Sequence, residues 1–363
     1  MPGPAPPHPL TLAPILLPKV WGGRRLVRLG KPLPPAELIG ESWELADLEQ
    51  TSLSGAGGGA RRSLIASGPL AGMTIRHAAE AWGPGLLGPD HPPSAPFPLL
   101  VKYLDARENL SVQVHPSPAY ARSNPGAHLK TECWLVLEAE PGAVIYKGLR
   151  RAVSPADLAA AARDGALPGL LHAEPAVPGQ MHLLPSGTIH ALGAGVLVAE
   201  VQTPSDTTFR LFDWGRAGRE LHLDEAVECY AGGAAWRAPA PTWLGSGGAA
   251  GDPGARHGRL VETAFFTVDA ARLGAGGGLA LAACLPATTA PVPAPAPLVL
   301  MLVAGGPVRL EGHDMDPHSL TLGQTCLVPA GVAPRAWARA EAAATLLLVA
   351  LGPAGAACSA APR

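Results

Sequence analysis

The strongest constraint on the fold of this chain is an internal repeat built around glycine and proline. Residues 179–190 read GQMHLLPSGTIH, residues 323–334 read GQTCLVPAGVAP, and the two segments align without a gap. Both satisfy the pattern G-x5-P-x-G, which is typical of an apolar strand that runs into a tight turn, because glycine reaches backbone angles closed to other residues and proline presets φ. We therefore expect two related β units, one in the middle of the chain and one near its end.

Short apolar segments bounded by turn signals predict antiparallel strands over most of the chain. The predicted strands cover residues 26–29, 42–48, 99–104, 144–146, 181–185, 196–202, 209–214, 298–303, 325–329 and 344–351. Ser154 followed by Pro155 has the signature of a helix start, which predicts a short helical segment within 154–172. A second helix is predicted over 224–230.

The length of 363 residues predicts two or three domains. A stretch rich in alanine, glycine and proline at 237–258 is typical of a linker. We therefore expect a catalytic domain at 1–236 and a smaller domain at 259–363. The glycine-rich segment 56–60 and the proline-rich segment 287–297 predict surface loops.

Charge and cysteine content narrow the class of protein. A formal net charge of −2 argues against a nucleic-acid partner. No apolar run reaches the roughly 20 residues of a membrane-spanning helix, and the start of the chain lacks the pattern of a secretory signal. The five scattered cysteines form no CxxC pair, which disfavours a disulfide framework or a zinc ribbon. We therefore expect a cytoplasmic protein with neither a nucleic acid nor a membrane as its partner.

The repeated segment resembles the second motif of the cupin superfamily, G-x5-P-x-G-x2-H. That resemblance implies a mainly β fold of two cupin-type jelly-roll β-barrel units, with a small helical insertion. The first copy has His190 at the position of the metal ligand, whereas the second copy has Pro334, which cannot bind a metal. The resemblance therefore implies a metal in the first barrel and a degenerate second barrel without one.

Three further residues are candidates for the same metal site. Gln113 and His115 are two apart in an alternating segment and so point to one face of a strand. Glu132 stands directly before the apolar segment 133–137. Two imidazoles, a carboxylate and an amide oxygen suit Zn²⁺ or another divalent first-row ion. Spacing alone leaves open that either histidine belongs to the core or to the surface.

A collinear set of motifs over residues 14–225 resembles the type I phosphomannose isomerases in their short bacterial form. The motifs are WGG at 21–23, GESWE at 40–44, GPLAG at 68–72, FPLLVK at 97–102, LSVQVHP at 110–116, KTECW at 130–134, PSGTIHALG at 185–193, EVQ at 200–202 and SDTTFRLFDW at 205–214. Three features depart from the family pattern: Ser42 stands where a cysteine is common, Thr203-Pro204 replaces a more polar pair, and the loop at 50–65 is unusually rich in glycine.

The resemblance implies a role for eight residues of this chain. The implied ligands of one zinc ion are Gln113, His115, Glu132 and His190, the implied catalytic residues are Arg210, Lys130 and Glu200, and the implied substrate-binding residues are Lys102 and Arg210. The implied activity is the metal-dependent interconversion of mannose 6-phosphate and fructose 6-phosphate, by proton transfer through an enediol. A small sugar phosphate is then the expected partner.

The chemistry of an aldose–ketose isomerase agrees with these residue types. A Lewis acid polarises the carbonyl, a base and an acid move the proton between C2 and C1, and an arginine fork binds an anion. Lys130 lies two residues before Glu132 and is expected on the same face, close to the metal. A neighbouring Zn²⁺ would disfavour its ammonium form and make Lys130 a candidate base, with Glu200 as the rival base. For Lys130 and Glu200 the structural alternative is a mutual ion pair. Arg210 is expected to share a strand face with Thr208 and Phe212. The structural alternative for Arg210 is a salt bridge to Asp206 or Asp213.

Two other functions stay open at this stage. One is another metal-dependent cupin enzyme, such as a dioxygenase, although those usually carry His-x-His with a carboxylate a few residues later, and here Glu132 follows His115 by 17 residues. The other is a cupin that binds a sugar phosphate without catalysis. The sequence leaves both a monomer and a homodimer open. Lys31 and Lys147 are interpreted as surface lysines.

Overall fold

The computed structural model describes residues 6–52, 58–124, 126–232, 254–286 and 295–352. Its strands are β1 (Leu10–Thr11), β2 (Ile15–Gly23), β3 (Ile39–Leu45), β4 (Asp47–Leu48), β5 (Arg61–Arg62), β6 (Leu100–Ala106), β7 (Val112–Val114), β8 (Glu132–Ala139), β9 (Val144–Leu149), β10 (Leu171–Pro175), β11 (Met181–Leu184), β12 (His190–Leu192), β13 (Val196–Gln202), β14 (Phe209–Phe212), β15 (Ala255–Glu262), β16 (Phe266–Leu273), β17 (Gly278–Ala280), β18 (Leu298–Gly305), β19 (Val308–Gly312), β20 (Met315–Leu320), β21 (Thr325–Val328), β22 (Ala336–Ala340) and β23 (Ala344–Leu351).

Helices are few and short. The α-helices are α1 (Ile75–Trp82), α2 (Pro84–Leu87), α3 (Pro118–Ser123), α4 (Pro155–Arg163), α5 (Leu167–Leu170) and α6 (Leu223–Cys229), and the 3₁₀ helices are η1 (Arg25–Leu29), η2 (Leu281–Cys284) and η3 (Ala333–Arg335). Among the described residues, none of these helices is long and apolar enough to cross a lipid bilayer.

The described residues form four antiparallel sheets of four or more strands, besides the two-stranded pair β4-β5. A six-stranded sheet (β11-β8-β13-β6-β2-β3) and a five-stranded sheet (β10-β9-β12-β7-β14) form the first unit. A second six-stranded sheet (β1-β21-β18-β23-β16-β15) and a four-stranded sheet (β17-β22-β19-β20) form the second. The prediction of a mainly β fold with two cupin-like units is confirmed.

The two copies of the repeated segment occupy matching places. Gly179 and Gly323 both have positive φ, +89° and +79°, and each precedes a strand of its six-stranded sheet, β11 and β21. At Gly323 a Cβ atom would lie 2.0 Å from the carbonyl oxygen of Leu29, so no side chain fits there. In both units, therefore, the repeated segment begins with a glycine that leads into a strand of the six-stranded sheet.

A continuous apolar layer joins the two six-stranded sheets. Val101, Leu135 and Val201 of the first sheet pack in one cluster with Met301 and Val349 of the second. Burial of these faces removes both sheets from water on one side, which is the main source of stability in layered β proteins. The opposite face of the first sheet is left to form the interior of the first barrel.

The N-terminal segment also ties the two units together. Strand β1 pairs with β21, with Leu10 opposite Leu327. Lys31 is only 7% exposed, and its Nζ donates to Glu44 Oε2 at 2.7 Å and to the carbonyl oxygen of Gly323 at 2.7 Å. The interpretation of Lys31 as a surface lysine was wrong, because it neutralises a buried carboxylate between the units. Lys147 is likewise buried.

The predicted helical insertion is confirmed in its position. Ser154 caps α4 by accepting a hydrogen bond from the backbone N–H of Asp157, and α5 follows. The helix predicted over 224–230 is α6. The strand predicted over 26–29 was wrong: this segment is the 3₁₀ helix η1, which ends at Gly30 with φ of +68°. A tight helical turn buries both Leu26 and Leu29 on one side, whereas in a strand residues three apart would point to opposite faces.

Several of the predicted loops fall wholly or partly outside the described residues. Of the predicted linker 237–258, residues 237–253 lie outside them, and residues 255–258 belong to strand β15 rather than to a loop. Residues 56–57 of the loop predicted at 56–60 and residues 287–294 of the loop predicted at 287–297 also lie outside, and the described residues 58–60 and 295–297 belong to no helix or strand. The division into domains at 236 and 259 therefore stays a prediction.

Candidate active site

One row of side chains crosses the five-stranded sheet of the first barrel. Gln113 on β7 stands directly opposite His190 on β12 and directly opposite Arg210 on β14. Residues paired in this way point to the same face of a sheet. His115 lies two residues beyond Gln113 and shares this face. The three strands therefore present an amide, two imidazoles and a guanidinium to the barrel interior.

A second row crosses the facing six-stranded sheet. Trp134 on β8 stands opposite Glu200 on β13, and Glu200 stands opposite Lys102 on β6. Glu132 lies two residues before Trp134 and shares its face. The neighbours of Glu200 in sequence, Ala199 and Val201, belong to the apolar layer on the opposite face. The alternation of this strand therefore turns a buried carboxylate inward.

His115, Glu132 and His190 meet at the point where the two rows face each other. His115 Nε2 lies 3.3 Å from Glu132 Oε2, and His190 Nε2 lies 3.1 Å from Glu132 Oε1. All three side chains are buried, and their ligand atoms lie within 4.8 Å of one another. The Gln113 amide adjoins them, with its nitrogen 3.2 Å from His190 Nε2.

The donor set fits a zinc ion. His190 Nδ1 donates to the carbonyl of Thr188 at 2.8 Å and His115 Nδ1 to that of Thr207 at 3.2 Å, an arrangement that leaves both Nε2 lone pairs facing Glu132. Within the described residues, no well-oriented hydrogen bond reaches His115 Nε2 or either oxygen of Glu132. Zinc bond lengths place neighbouring nitrogen and oxygen ligands about 3.4 Å apart in a tetrahedron, close to the distances found here.

Electrostatics keep His115 in the neutral form that binds metals. Burial, followed by the positive charge of Lys130, lowers the pKa of His115 to about 3, although Glu132 acts in the opposite direction. The pKa of Glu132 is held well below its ordinary value, since Lys130 and His115 outweigh the effect of burial. Glu132 is therefore an anion and His115 a neutral base, as ligation requires.

Two buried lysines, Lys130 and Lys102, each lie beside a different carboxylate of the site. Lys130 Nζ lies 2.7 Å from Glu132 Oε2, whereas Glu200 Oε1 lies 3.2 Å from Lys102 Nζ. The mutual ion pair of Lys130 and Glu200 is therefore not formed. The expectation that Lys130 lies beside Glu132 agrees with the structure.

Glu200 is held in place through both of its oxygens. Oε2 accepts a hydrogen bond from Trp134 Nε1 at 2.9 Å, and Oε1 faces Lys102. Burial, followed by the charge of Glu132, raises the pKa of Glu200, against the opposing effect of Lys102 and Lys130. A carboxylate with a raised pKa is better suited to accept a proton.

Lys102 is a fixed cation rather than a base. Burial disfavours its ammonium form, but Glu200, Glu41 and Glu132 outweigh burial and raise the pKa of Lys102 above its ordinary value. Its Nζ lies 3.4 Å from Glu41 Oε2. The pKa of Glu41 in turn is lowered, because Lys19 and Lys102 together outweigh the effect of burial.

Arg210 is buried without a carboxylate partner among the described residues. Its Nη1 donates to the carbonyl of Glu220 at 2.6 Å, and its Nε makes no hydrogen bond there. The alternative of a salt bridge does not hold: Asp213 pairs with Arg216 and Arg219, and no ion pair links Asp206 to Arg210.

The strand that carries Arg210 is less regular than expected. A register shift between Arg210 and Phe212 turns Phe212 into the apolar cluster that also contains Phe209 and Leu211. The expectation that Phe212 shares a face with Arg210 was therefore wrong. Thr208 does line the same cleft as Arg210.

The two rows enclose one end of a cleft. Its lining is Lys19, Trp21, Glu41, Trp43, Lys102, Leu104, Leu110, Ser111, Gln113, Lys130, Trp134, Glu200, Asp206, Thr208, Arg210 and Arg219. The structure thus brings all eight predicted site residues together, five in the wall and His115, Glu132 and His190 buried behind it. Sequence reasoning missed Glu41 and Arg219. Glu41 lies in the GESWE motif, which was noted without a role for its carboxylates.

Comparisons with known proteins agree with this geometry. No protein-family model matches the chain. The probable mannose-6-phosphate isomerase GmuF of Bacillus subtilis is 36% identical over 229 residues, which are 61% of this chain and 68% of that protein. The mannose-6-phosphate isomerase of Streptococcus mutans is 35% identical over 266 residues, 72% of this chain and 78% of that protein.

Solved structures extend the likeness to the whole fold. The mannose 6-phosphate isomerase from Bacillus subtilis superposes with a TM-score of 0.74 and 28% identity, covering 94% of this chain and 99% of that one. A zinc-bound mannose 6-phosphate isomerase shares the fold at a TM-score of 0.66 and 17% identity, covering 95% and 99%. The sequence relatives and the shared architecture together place this chain in the mannose-6-phosphate isomerase family.

Proposed function

We propose that this protein interconverts mannose 6-phosphate and fructose 6-phosphate in the cleft between the two rows. The observation that carries the proposal is the meeting of three kinds of group at one place. A His/Glu/His/Gln donor set lies at one end of the cleft, whose wall also carries a carboxylate with a raised pKa and an arginine that has no carboxylate partner within the described part of the chain. Aldose–ketose isomerisation requires these three kinds of group.

Gln113, His115, Glu132 and His190 are proposed as the residues that hold a zinc ion. When bound, zinc supplies a Lewis acid that polarises the carbonyl of the open-chain sugar. The Gln113 amide would present its oxygen once it is turned over, since amide oxygen and nitrogen are assigned from their surroundings. The carbonyls of Thr188 and Thr207 hold the two imidazoles in the required orientation.

Glu200 is proposed as the base that takes the proton from C2 and returns it to C1. Its position is fixed by Trp134 and Lys102, so that a single orientation faces the cleft. Lys130 is proposed as the acid beside the carbonyl oxygen, because its Nζ lies 2.7 Å from Glu132 Oε2 and so next to the metal ligands. Glu200 would then act on the carbon atoms of the enediol, and Lys130 on its oxygen.

Arg210 and Lys102 are proposed to bind the substrate. The other cations in the wall are already compensated: Arg219 binds both oxygens of Asp213, at 3.0 and 3.1 Å, and Lys19 lies 3.1 Å from Glu41. Arg210 has free donor capacity for an incoming anion, either the phosphate or the developing enediolate. Lys102 lies between Glu41 and Glu200 and would bind a sugar oxygen while keeping both carboxylates ionised.

Residues 259–363 are proposed to act as a cover for the catalytic barrel rather than as a second active site. Their six-stranded sheet supplies one side of the apolar layer against the first unit. Pro334 at the repeat position offers no ligand atom. This part of the chain would then stabilise the wall that carries Glu200 and Lys102 from behind.

A coupled assay tests the function directly. Purified protein is given mannose 6-phosphate, and the fructose 6-phosphate formed is measured, with mannose and with the 6-phosphates of other aldoses as comparison substrates. We expect turnover of mannose 6-phosphate and little turnover of unphosphorylated mannose. Absence of turnover in a zinc-loaded preparation would contradict the proposal, as would oxygen consumption, the mark of a dioxygenase.

A further inference from the structure

Three potential metal ligands meet in the second unit, away from the cleft. His257 lies on β15, Asp269 on β16 and Cys284 in η2, and their ligand atoms lie within 4.8 Å of one another. His257 Nε2 is 3.3 Å from Asp269 Oδ2 and 3.5 Å from Cys284 Sγ. One nitrogen, one oxygen and one sulfur therefore converge on one point.

The strand register explains why these residues meet. Strands β15 and β16 pair with Arg259 opposite Asp269 and with His257 opposite Ala271. Asp269 and Ala271 share a face, so His257 and Asp269 are diagonal neighbours. That face belongs to the interior of the second unit, where Ala271 and Cys284 pack in the same cluster.

The cluster is largely buried, and its carboxylate is held by an arginine. Asp269 and Cys284 are each only 1% exposed, and His257 alone reaches the surface. Arg259 binds both oxygens of Asp269, with Nε donating to Oδ1 and Nη2 to Oδ2 at 3.4 Å, and so holds Oδ2 beside His257 Nε2. Metal-binding carboxylates are commonly held by an outer hydrogen bond of this kind.

We propose that His257, Asp269 and Cys284 form a second, structural metal site that takes Zn²⁺. Zinc bond lengths and a tetrahedral angle place a nitrogen and an oxygen ligand about 3.4 Å apart, and a nitrogen and a sulfur ligand about 3.6 Å apart. The distances of 3.3 and 3.5 Å agree with both values. Asp269 and the Cys284 thiolate would supply two negative charges to match the dication.

The site would replace the expectation that the second unit holds no metal. That expectation depended on Pro334 at the cupin ligand position, whereas this cluster uses other strands. It differs from the first site in containing a thiolate, which favours zinc and other thiophilic ions over magnesium or calcium. A bound ion would fasten the edge strand β15 to η2 and so close one end of the second unit.

Cobalt substitution in the full-length protein tests the proposal independently of the isomerase activity. The metal-free protein is titrated with Co²⁺, and the sulfur-to-cobalt charge-transfer absorption in the near ultraviolet is recorded. The proposed ligands of the first site include no sulfur, and Cys133, next to Glu132, points into the apolar layer on the opposite face. Such absorption therefore reports the second site.

Matched variants identify the ligands. Cys284→Ala and His257→Ala are expected to lose the absorption and one of two zinc ions per chain, while isomerase turnover is retained. His257 is partly exposed, so its variant folds even if Cys284→Ala does not. Controls are Cys326→Ala, a buried cysteine on β21, and His313→Ala, an exposed histidine. Both controls are expected to keep the absorption.

Two results would overturn the second site. One is a zinc-saturated protein that binds a single ion per chain and loses it completely in His190→Ala. The other is a cobalt protein without sulfur charge transfer, or one whose absorption survives in His257→Ala. Either result would make His257, Asp269 and Arg259 an ion-pair cluster beside a thiol that binds no metal.

Discussion

Lys102 stands directly opposite Glu200 on neighbouring antiparallel strands, with its Nζ 3.2 Å from the carboxylate oxygen Oε1. Both side chains are buried in the wall of the cleft. The pair explains how a carboxylate can stay available as a base in a buried place. Burial and Glu132 raise the pKa of Glu200, and Lys102 limits that rise.

Removal of Lys102 should therefore change the pH dependence of turnover. Glu200 faces Lys102, Lys130, Glu132 and Glu41, and without Lys102 the surroundings of Glu200 become more negative. In Lys102→Met the pKa of Glu200 should rise further, so that a larger fraction is protonated at a given pH. The acidic limb of the profile of kcat/KM should move to higher pH. Lys102→Arg should leave that limb in place, and an unchanged limb in Lys102→Met would exclude Glu200 as the group that titrates.

Arg210→Lys should lower kcat by at least ~10²-fold, as is typical for the loss of a preorganised donor. Lysine cannot present two parallel donors to a phosphate or an enediolate. Zinc content, measured by elemental analysis, should be unchanged. Arg216→Lys is the matched control, since Arg216 pairs with Asp213 outside the cleft wall, and it should keep turnover. Normal turnover in Arg210→Lys would remove Arg210 from the catalytic residues.

Glu200→Gln should abolish exchange of the C2 hydrogen of mannose 6-phosphate with solvent. The amide is close to isosteric but cannot take a proton, and general base catalysis contributes typically 10²–10⁴-fold. Exchange is followed by proton NMR in D2O. Lys130→Arg keeps a cation beside Glu132 and should keep more exchange than Lys130→Met. If Glu200→Gln still exchanged the C2 hydrogen at the wild-type rate, the base would be another residue.

Lys31→Met should lower the free energy of unfolding by about 3–5 kcal/mol, the usual cost of breaking one side of a buried ion pair. The reason is that Glu44 would be left buried without its lysine partner. Burial already raises the pKa of Glu44 against the effect of Lys31, so the variant should regain stability as the pH falls and Glu44 takes up a proton. Urea unfolding at several pH values measures both effects.

The double variant Lys31→Met/Glu44→Gln supplies the control for that experiment. Removal of both charges should recover part of the lost stability, because no unpaired charge is left buried. A loss below about 1 kcal/mol in Lys31→Met would mean that Lys31 behaves as an exposed ion pair. That result would contradict the burial of this contact between the units.

Regular strands were the part of the fold most open to prediction from the sequence. The strands predicted over 196–202 and 344–351 have the observed bounds, because each is a nearly continuous apolar run between turn residues. The segment 26–29 failed because three or four apolar residues between glycines fit a strand and a helical turn equally well. Periodicity separates the two only over longer segments.

The residues of the site were likewise predictable from the sequence only in part. His190 could be found because it completes a repeated motif, and Gln113 and His115 because they alternate. Glu41 and Lys31 gave no such signal, since each is a single charged residue whose partner lies far away along the chain. His257, Asp269 and Cys284 spread over 28 residues without any ligand spacing known from metal motifs. Only the strand register brings them together.

Zinc held by His115, Glu132 and His190 should be needed for the isomerisation of mannose 6-phosphate. The most direct measurement is the rate of fructose 6-phosphate formation before chelation, after prolonged chelation, and after return of Zn²⁺, in the wild type and in His190→Ala. Wild-type activity should disappear on chelation and return with zinc, while His190→Ala stays inactive throughout. Full activity in a preparation shown by elemental analysis to be free of metal would contradict this requirement for zinc.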